Sequence, residues 1–174
     1  MTFSAQLSRF NTGSLDLLQR ILLVTDGTLT DTIAAAFSEE IGLRKLELET
    51  RPACCRIESL DLNEGQLVMK RKVLLVGQST GKTYVYAESL LAVDRLSPQF
   101  RQGLIVTNTP LGRLWSEHRL ETWKELLQVD RVQMGELACH FQPTNRCDLL
   151  TRTYRLISGG RPIMLITECF PTVY

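Results

Sequence analysis

The sequence predicts an α+β fold, a single domain over residues 1–174 in which an antiparallel β-sheet carries helices packed on it. Three observations predict it. Strand-like runs pair off as two hairpins around glycine-bounded turns, and helical periodicity is concentrated early in the chain. Nothing alternates as βαβαβ, which disfavours a doubly wound nucleotide fold.

Ser14, followed by Leu15, Leu17, Leu18, Ile21 and Leu22, reads as a capped amphipathic helix that Thr25-Asp26-Gly27-Thr28 breaks. Thr30 or Asp31 can cap a second short helix through Ala34, Ala35, Ala36, Phe37 and Ile41, stopped by Gly42. Leu46 to Thr50 reads as a strand and Cys55 to Leu60 as a possible second. The clearest β signal follows: Gln66 to Val76, the turn Gly77-Gln78-Ser79-Thr80-Gly81, then Lys82 to Val93. Leu96 to Gln102 is expected to be a short helix with Pro98 near its start, and Leu111 to His118 another. Leu120 to His140 is ambiguous between helix and extended pairs. The chain closes on a second hairpin, Leu149 to Ser158 and Ile163 to Phe170, around Gly159-Gly160-Arg161-Pro162.

Composition excludes several function classes. Twenty Lys and Arg against 19 Asp and Glu leave a formal charge of +1, so no general field attracts nucleic acid or an anionic membrane. An anion must be bound by a few placed side chains. The longest purely apolar runs span four residues, such as Ile21 to Val24, where a membrane-spanning helix needs about 20. Met1 to Asn11 has no apolar core of a signal peptide. The five cysteines (Cys54, Cys55, Cys139, Cys147, Cys169) lack the paired spacing of a zinc site, although Cys139-His140 with Cys147 resembles part of one. Reduced, mostly buried thiols, no metal and a cytoplasmic location are expected.

Two motifs mislead. Val76 to Thr83 imitates a P-loop, but the first glycine of G-x-x-x-x-G-K-[ST] is absent and Thr83-Tyr84-Val85-Tyr86 continues as a strand. A Ser-His-Asp hydrolase would have to use His118 or His140, and no G-x-S-x-G elbow exists. Trp115 and Trp123 read as core rather than as a ligand box.

Residues two apart in a strand share a face. Met69, Arg71, Val73 and Leu75 lie together, and so do Met164, Ile166, Glu168 and Phe170. A charge on an apolar face is expensive unless paired or engaged by a ligand. Arg71 and Glu168 therefore pair with each other, or reach solvent because a strand is twisted, or stand at opposite ends of an internal pocket. In a pocket, arginine's planar fork suits a carboxylate, and a glutamate in an apolar wall suits acid–base work near neutrality.

Three blocks in order resemble the chorismate pyruvate-lyase (4-hydroxybenzoate synthase) family. They are Arg71-Lys72-Val73-Leu74-Leu75, Thr109-Pro110-Leu111-Gly112-Arg113, and Ser158-Gly159-Gly160-Arg161-Pro162 leading to Leu165-Ile166-Thr167-Glu168-Cys169-Phe170. The resemblance implies a ligand sealed beneath flaps on one side of the sheet. It implies elimination of pyruvate from chorismate to give 4-hydroxybenzoate, with no cofactor, typically for quinone biosynthesis. It gives Arg71 the ring carboxylate and Glu168 the hydroxyl end of the product, with main-chain contacts from Leu111 and Leu29. Where family members carry Gly-Arg-Thr, this chain has Ala87-Glu88-Ser89, which leaves Arg113, Arg152 or Arg155 to supply a cation for the second carboxylate. A monomer is expected, with the small molecule as its partner. The alternative is a domain of the same fold that binds an aromatic acid without turnover. Regulators built on this fold carry a basic helix-turn-helix in front, and the first 42 residues are too few and too weakly basic for one.

Overall fold

The computed structural model describes residues 15–26, 28–141 and 148–174. Helices α1 (Leu17–Val24) and α2 (Leu29–Phe37) precede strands β1 (Ile41–Pro52), β2 (Leu67–Gly77) and β3 (Thr83–Ala92). Helices α3 (Pro98–Val106) and α4 (Leu111–Glu117) cross to β4 (Trp123–Gln133), β5 (Asp148–Ser158) and β6 (Arg161–Pro171). The six strands form one sheet in the order β1-β2-β3-β6-β5-β4, every neighbour antiparallel. It is two three-stranded meanders joined along β3 and β6.

Asp16 starts α1, accepting from the Gln19 amide at 2.8 Å while the Gln19 side chain accepts from Asp16 N, a reciprocal capping box. The Ser14 cap expected from sequence lies outside the described residues, as do Met1 to Asn11, Gly27 and Cys147. The N-cap position of the second helix is Thr28, which makes no side-chain capping bond, rather than Thr30 or Asp31. It ends where Ser38 turns left-handed (φ 53°), so Ile41 and Gly42 belong to β1 rather than to a helix. Cys55 to Leu60 is not a strand; it holds a 3-10 turn, Glu58–Leu60, beside a single bridge between Ile57 and Leu62. Pro98 stands at the first position of α3 with Ser97 as its cap, and the helix runs four residues past the expected Gln102. The ambiguous stretch resolves into β4 followed by a 3-10 turn at Gly135–His140.

Both edge strands carry register shifts, at Lys45/Glu47 in β1 and Leu126/Gln128 in β4. Such bulges twist an edge away from further pairing, and they break the period-two pattern that would reveal the strand. The four helices among the described residues pack on one sheet face. Leu22, Leu23 and Ile33 of α1 and α2 meet Leu75, Val85, Leu150 and Phe170. Phe100, Leu104 and Leu114 of α3 and α4 meet Met69, Leu91 and Met164. Two smaller clusters, around Leu74 with Phe141 and around Leu60 with Val68, cover the opposite face. Among the described residues Cys54, Cys55 and Cys139 are exposed and only Cys169 is buried, so the described thiols are mostly on the surface, contrary to expectation. Among the described residues no His, Cys, Asp and Glu group of metal-site size occurs, and no helix is long and apolar enough to cross a membrane.

The P-loop-like turn is spent on the protein itself. Ser79 and Thr80 amides donate to the Glu39 carboxylate at 3.3 Å each, and the Thr80 and Tyr84 hydroxyls donate to it as well. A Cβ at Gly77 would meet that carboxylate at 2.3 Å, so any larger residue there would displace it from these bonds.

Candidate active site

Between the two helix pairs the sheet is left uncovered by side chains, and a cavity of about 530 Å³ fills the gap. That is ample for a small aromatic acid. Its floor is Arg71, Val73, Ala87, Ser89, Ile166, Glu168, Arg152 and Tyr154; its roof is Leu29 with Thr28 and Leu111 with Gly112. All four residues singled out from sequence, Arg71, Glu168, Leu111 and Leu29, therefore meet at one cavity. Leu29 and Leu111 are the first residues of α2 and α4, where amide N–H groups have no partner within the helix. A Cβ on Gly112 would lie 2.6 Å from Thr28 Cγ2, so a glycine lets the two roof segments close on each other.

The two charges do not pair with each other. Arg71 and Glu168 stand two strands apart (Arg71 faces Ser89, Glu168 faces Ala87) and two residues apart along the sheet. That separates their backbones by about 12 Å at ordinary strand spacing. Arg71 is 2% exposed, and its Nε and Nη2 are buried without any hydrogen-bond partner. Burial pushes its guanidinium down to about 10, still charged at neutral pH. Among the described residues no carboxylate lies in ion-pair range of it. An unpaired buried cation of this kind is a ready receptor for an anion.

Glu168 is instead engaged by β5. Arg152 Nε donates to Oε2 at 2.6 Å and the Tyr154 hydroxyl donates to Oε1 at 3.0 Å. Burial and the Glu168 charge push the Tyr154 phenol well up, so it stays a proton donor. Burial alone would lower the Arg152 guanidinium, but Glu168 and Tyr154 outweigh it and the net direction is up. Each carboxylate oxygen retains a lone pair for a ligand proton.

Sequence reasoning left Arg152 as one of three candidate cations and missed Tyr154 and Lys124. The signal for the first was present: Leu150, Arg152, Tyr154 and Leu156 share a face of β5 by the same alternation that exposed Arg71. Of the three arginines left open, only Arg152 lines the cavity. Arg113 pairs with Asp31 at 3.7 Å above the roof, and Arg155 bonds Glu125. Glu88, which stands where the family has arginine, does not line the cavity; it lies 3.6 Å from Lys70 on the opposite face. Trp115 and Trp123 both line the cavity, and Trp123 is 65% exposed, so it stands at the mouth rather than in the core.

A cavity with a free cation at one end and a bonded carboxylate at the other, roofed by two helix starts, defines an α+β domain built around an internal chamber of small-molecule size. Solved structures share this fold. PhnF from Mycobacterium smegmatis superposes with a TM-score of 0.66 at 13% identity, over 85% of this chain and 65% of that one. The C-terminal domain of the histidine utilization repressor from Pseudomonas syringae gives 0.60 at 16%, over 76% of this chain and 92% of that one. At such identities the likeness shows the fold alone.

Residues 23–174 match the family described as Chorismate pyruvate-lyase Rv2949c-like, and the chain belongs to that family. Its similarity to the chorismate pyruvate-lyase of Mycobacterium leprae is 34% identity over 171 residues, 94% of this chain and 79% of the relative.

Proposed function

We propose that the chain eliminates pyruvate from chorismate to give 4-hydroxybenzoate, without a cofactor. The observation that carries this reading is the buried, unpartnered Arg71 across one cavity from Glu168. In the reaction the ring carbon bearing the hydroxyl loses its proton, the neighbouring ring carbon loses its bond to the ether oxygen with the electron pair going to oxygen, and the enolate released takes up a proton to become pyruvate. The ring becomes aromatic, so the step is strongly downhill and needs no redox chemistry. Arg71 holds the ring carboxylate, with main-chain contacts from Leu29 and Leu111. Glu168, steadied by Arg152 and Tyr154, faces the hydroxyl end and handles the proton. Preorganised charge and orientation supply the acceleration.

All groups of the site come from one chain, which fits a monomer, and the exposed thiols of Cys54, Cys55 and Cys139 suit the reducing cytoplasm. A second reading, an aromatic-acid-binding domain without turnover, is favoured by the fold shared with a repressor's C-terminal domain. Metal-free protein incubated with chorismate, following pyruvate and 4-hydroxybenzoate, separates the two. Product from wild type and none from folded Arg71→Ala and Glu168→Gln supports the lyase. No product from folded wild type rejects it and leaves the binding reading.

A further inference from the structure

Arg71 and Glu168 account for one carboxylate and one hydroxyl, yet the cavity wall carries two more cations, Lys124 and Arg152. Both donate to a single backbone oxygen, that of Thr25, from Lys124 Nζ at 3.0 Å and Arg152 Nη1 at 3.1 Å. Both lie against one ring, Lys124 Nζ 4.7 Å and Arg152 Cζ 5.3 Å from the Tyr154 centroid. Arg152 spends Nε on Glu168 and Nη1 on Thr25, but its Nη2 is buried with no partner. The Lys124 side chain is only 12% exposed; its ion-pair partner Asp26, at 3.9 Å, is 77% exposed and screens it weakly, and Glu168 attracts it from further off. Burial and the repulsion of Arg152 both push the Lys124 ammonium down. Glu168 offsets part of the repulsion between the two cations, and a further anion beside Lys124 and the free Nη2 of Arg152 would offset the rest.

The charges lining the cavity are Arg71, Lys124 and Arg152 against Glu168 and the solvated Asp26. A ligand with one carboxylate at Arg71 leaves Lys124 and the Nη2 of Arg152 without an anion of their own, whereas a dicarboxylate covers both poles. In chorismate the ether stands on the ring carbon next to the hydroxyl. Its carboxylate therefore falls on the Glu168 side of the ring, where Arg152 is already 2.6 Å from Glu168.

We propose that Lys124 and the free Nη2 of Arg152 form a second anion subsite that binds the enolpyruvyl carboxylate, so that the cavity selects a dianion; this rests on the lyase reading above. It gives Lys124 a role in substrate binding and in letting go of the monoanionic product.

The test compares wild type, Lys124→Met and Lys124→Arg in two measurements. One is steady-state turnover of chorismate; the other is direct binding of chorismate and of 4-hydroxybenzoate, read from the fluorescence of Trp115 and Trp123. Loss of a charge-assisted contact in Lys124→Met raises KM for chorismate about 10- to 100-fold, moves kcat less, and leaves 4-hydroxybenzoate affinity within about twofold. Lys124→Arg restores most of the loss. An unchanged KM in Lys124→Met overturns the subsite, and so does an equal weakening of both ligands, which marks general damage to the pocket. Wild type without turnover sinks the lyase reading only; the subsite then stands or falls on whether Lys124→Met weakens chorismate binding more than 4-hydroxybenzoate binding.

Discussion

Replacing Arg71 by methionine is expected to make the ligand-free protein more stable while abolishing its function. The guanidinium is 2% exposed, with Nε and Nη2 unpartnered. Its fall from an ordinary 12.5 to about 10 corresponds to a cost of about 3 kcal/mol for keeping the charge in the folded chain. At neutral pH the group is protonated in both folded and unfolded states, so the whole cost is present. Stability would recover only as pH rises through about 10, where the folded state sheds its proton first. Methionine removes the charge and keeps much of the stem's packing, so a net gain of about 1–3 kcal/mol is expected, allowing for relaxation around the site. For a chain of this size that is a rise of about 2–10 °C in Tm. The assay is thermal and urea unfolding of both proteins at pH 7, with and without saturating 4-hydroxybenzoate. Ligand should reverse the order, raising wild type above a variant that no longer responds. A variant less stable than ligand-free wild type would refute the reasoning, since it would mean that Arg71 is already satisfied within the protein.

Gly112→Val is expected to wedge the roof open, because its Cβ would start 2.6 Å from Thr28 Cγ2; a weaker inhibition constant for 4-hydroxybenzoate, with the fold retained by circular dichroism, checks this. Hydrogen bonds from Tyr84 first, and then from Thr80 and Ser79, hold the Glu39 carboxyl below its ordinary 4.5, so its contribution is complete above that value and is lost as pH falls through the lower folded one. Hydrogen exchange of the Ser79 and Thr80 amides should accordingly show the β2–β3 turn loosening on acidification in wild type. In Glu39→Gln the same turn should be loose already at pH 7.

The parts legible in the sequence were those where alternation ran unbroken. Strands β2 and β6 each put one charge among apolar neighbours on the inner face, and that alone pointed to Arg71 and Glu168. Strand β5 carries the same signal, but it also has Arg155 on its outer face, so Arg152 did not stand out as a lone charge. Strand β4 was hidden because its register slips between Leu126 and Gln128, which moves later side chains to the other face; Lys124 was lost with it. The same slip at Lys45/Glu47 blurred β1. The end of α2 depends on one left-handed serine, Ser38, a conformation that no residue type announces by itself except glycine or asparagine. Trp123 was misjudged because its exposure depends on the roof above it, which strand periodicity does not describe.

The join between the two meanders runs from Tyr86–Cys169 to Leu91–Met164 and consists of backbone pairing. Arg71 belongs to the first meander; Lys124, Arg152, Tyr154 and Glu168 belong to the second. The sheet thus works as a caliper whose gap is set by main-chain hydrogen bonds and is indifferent to what either jaw carries. Exchanging the side chains on one jaw changes the chemical group that is gripped there without altering the length of molecule that fits.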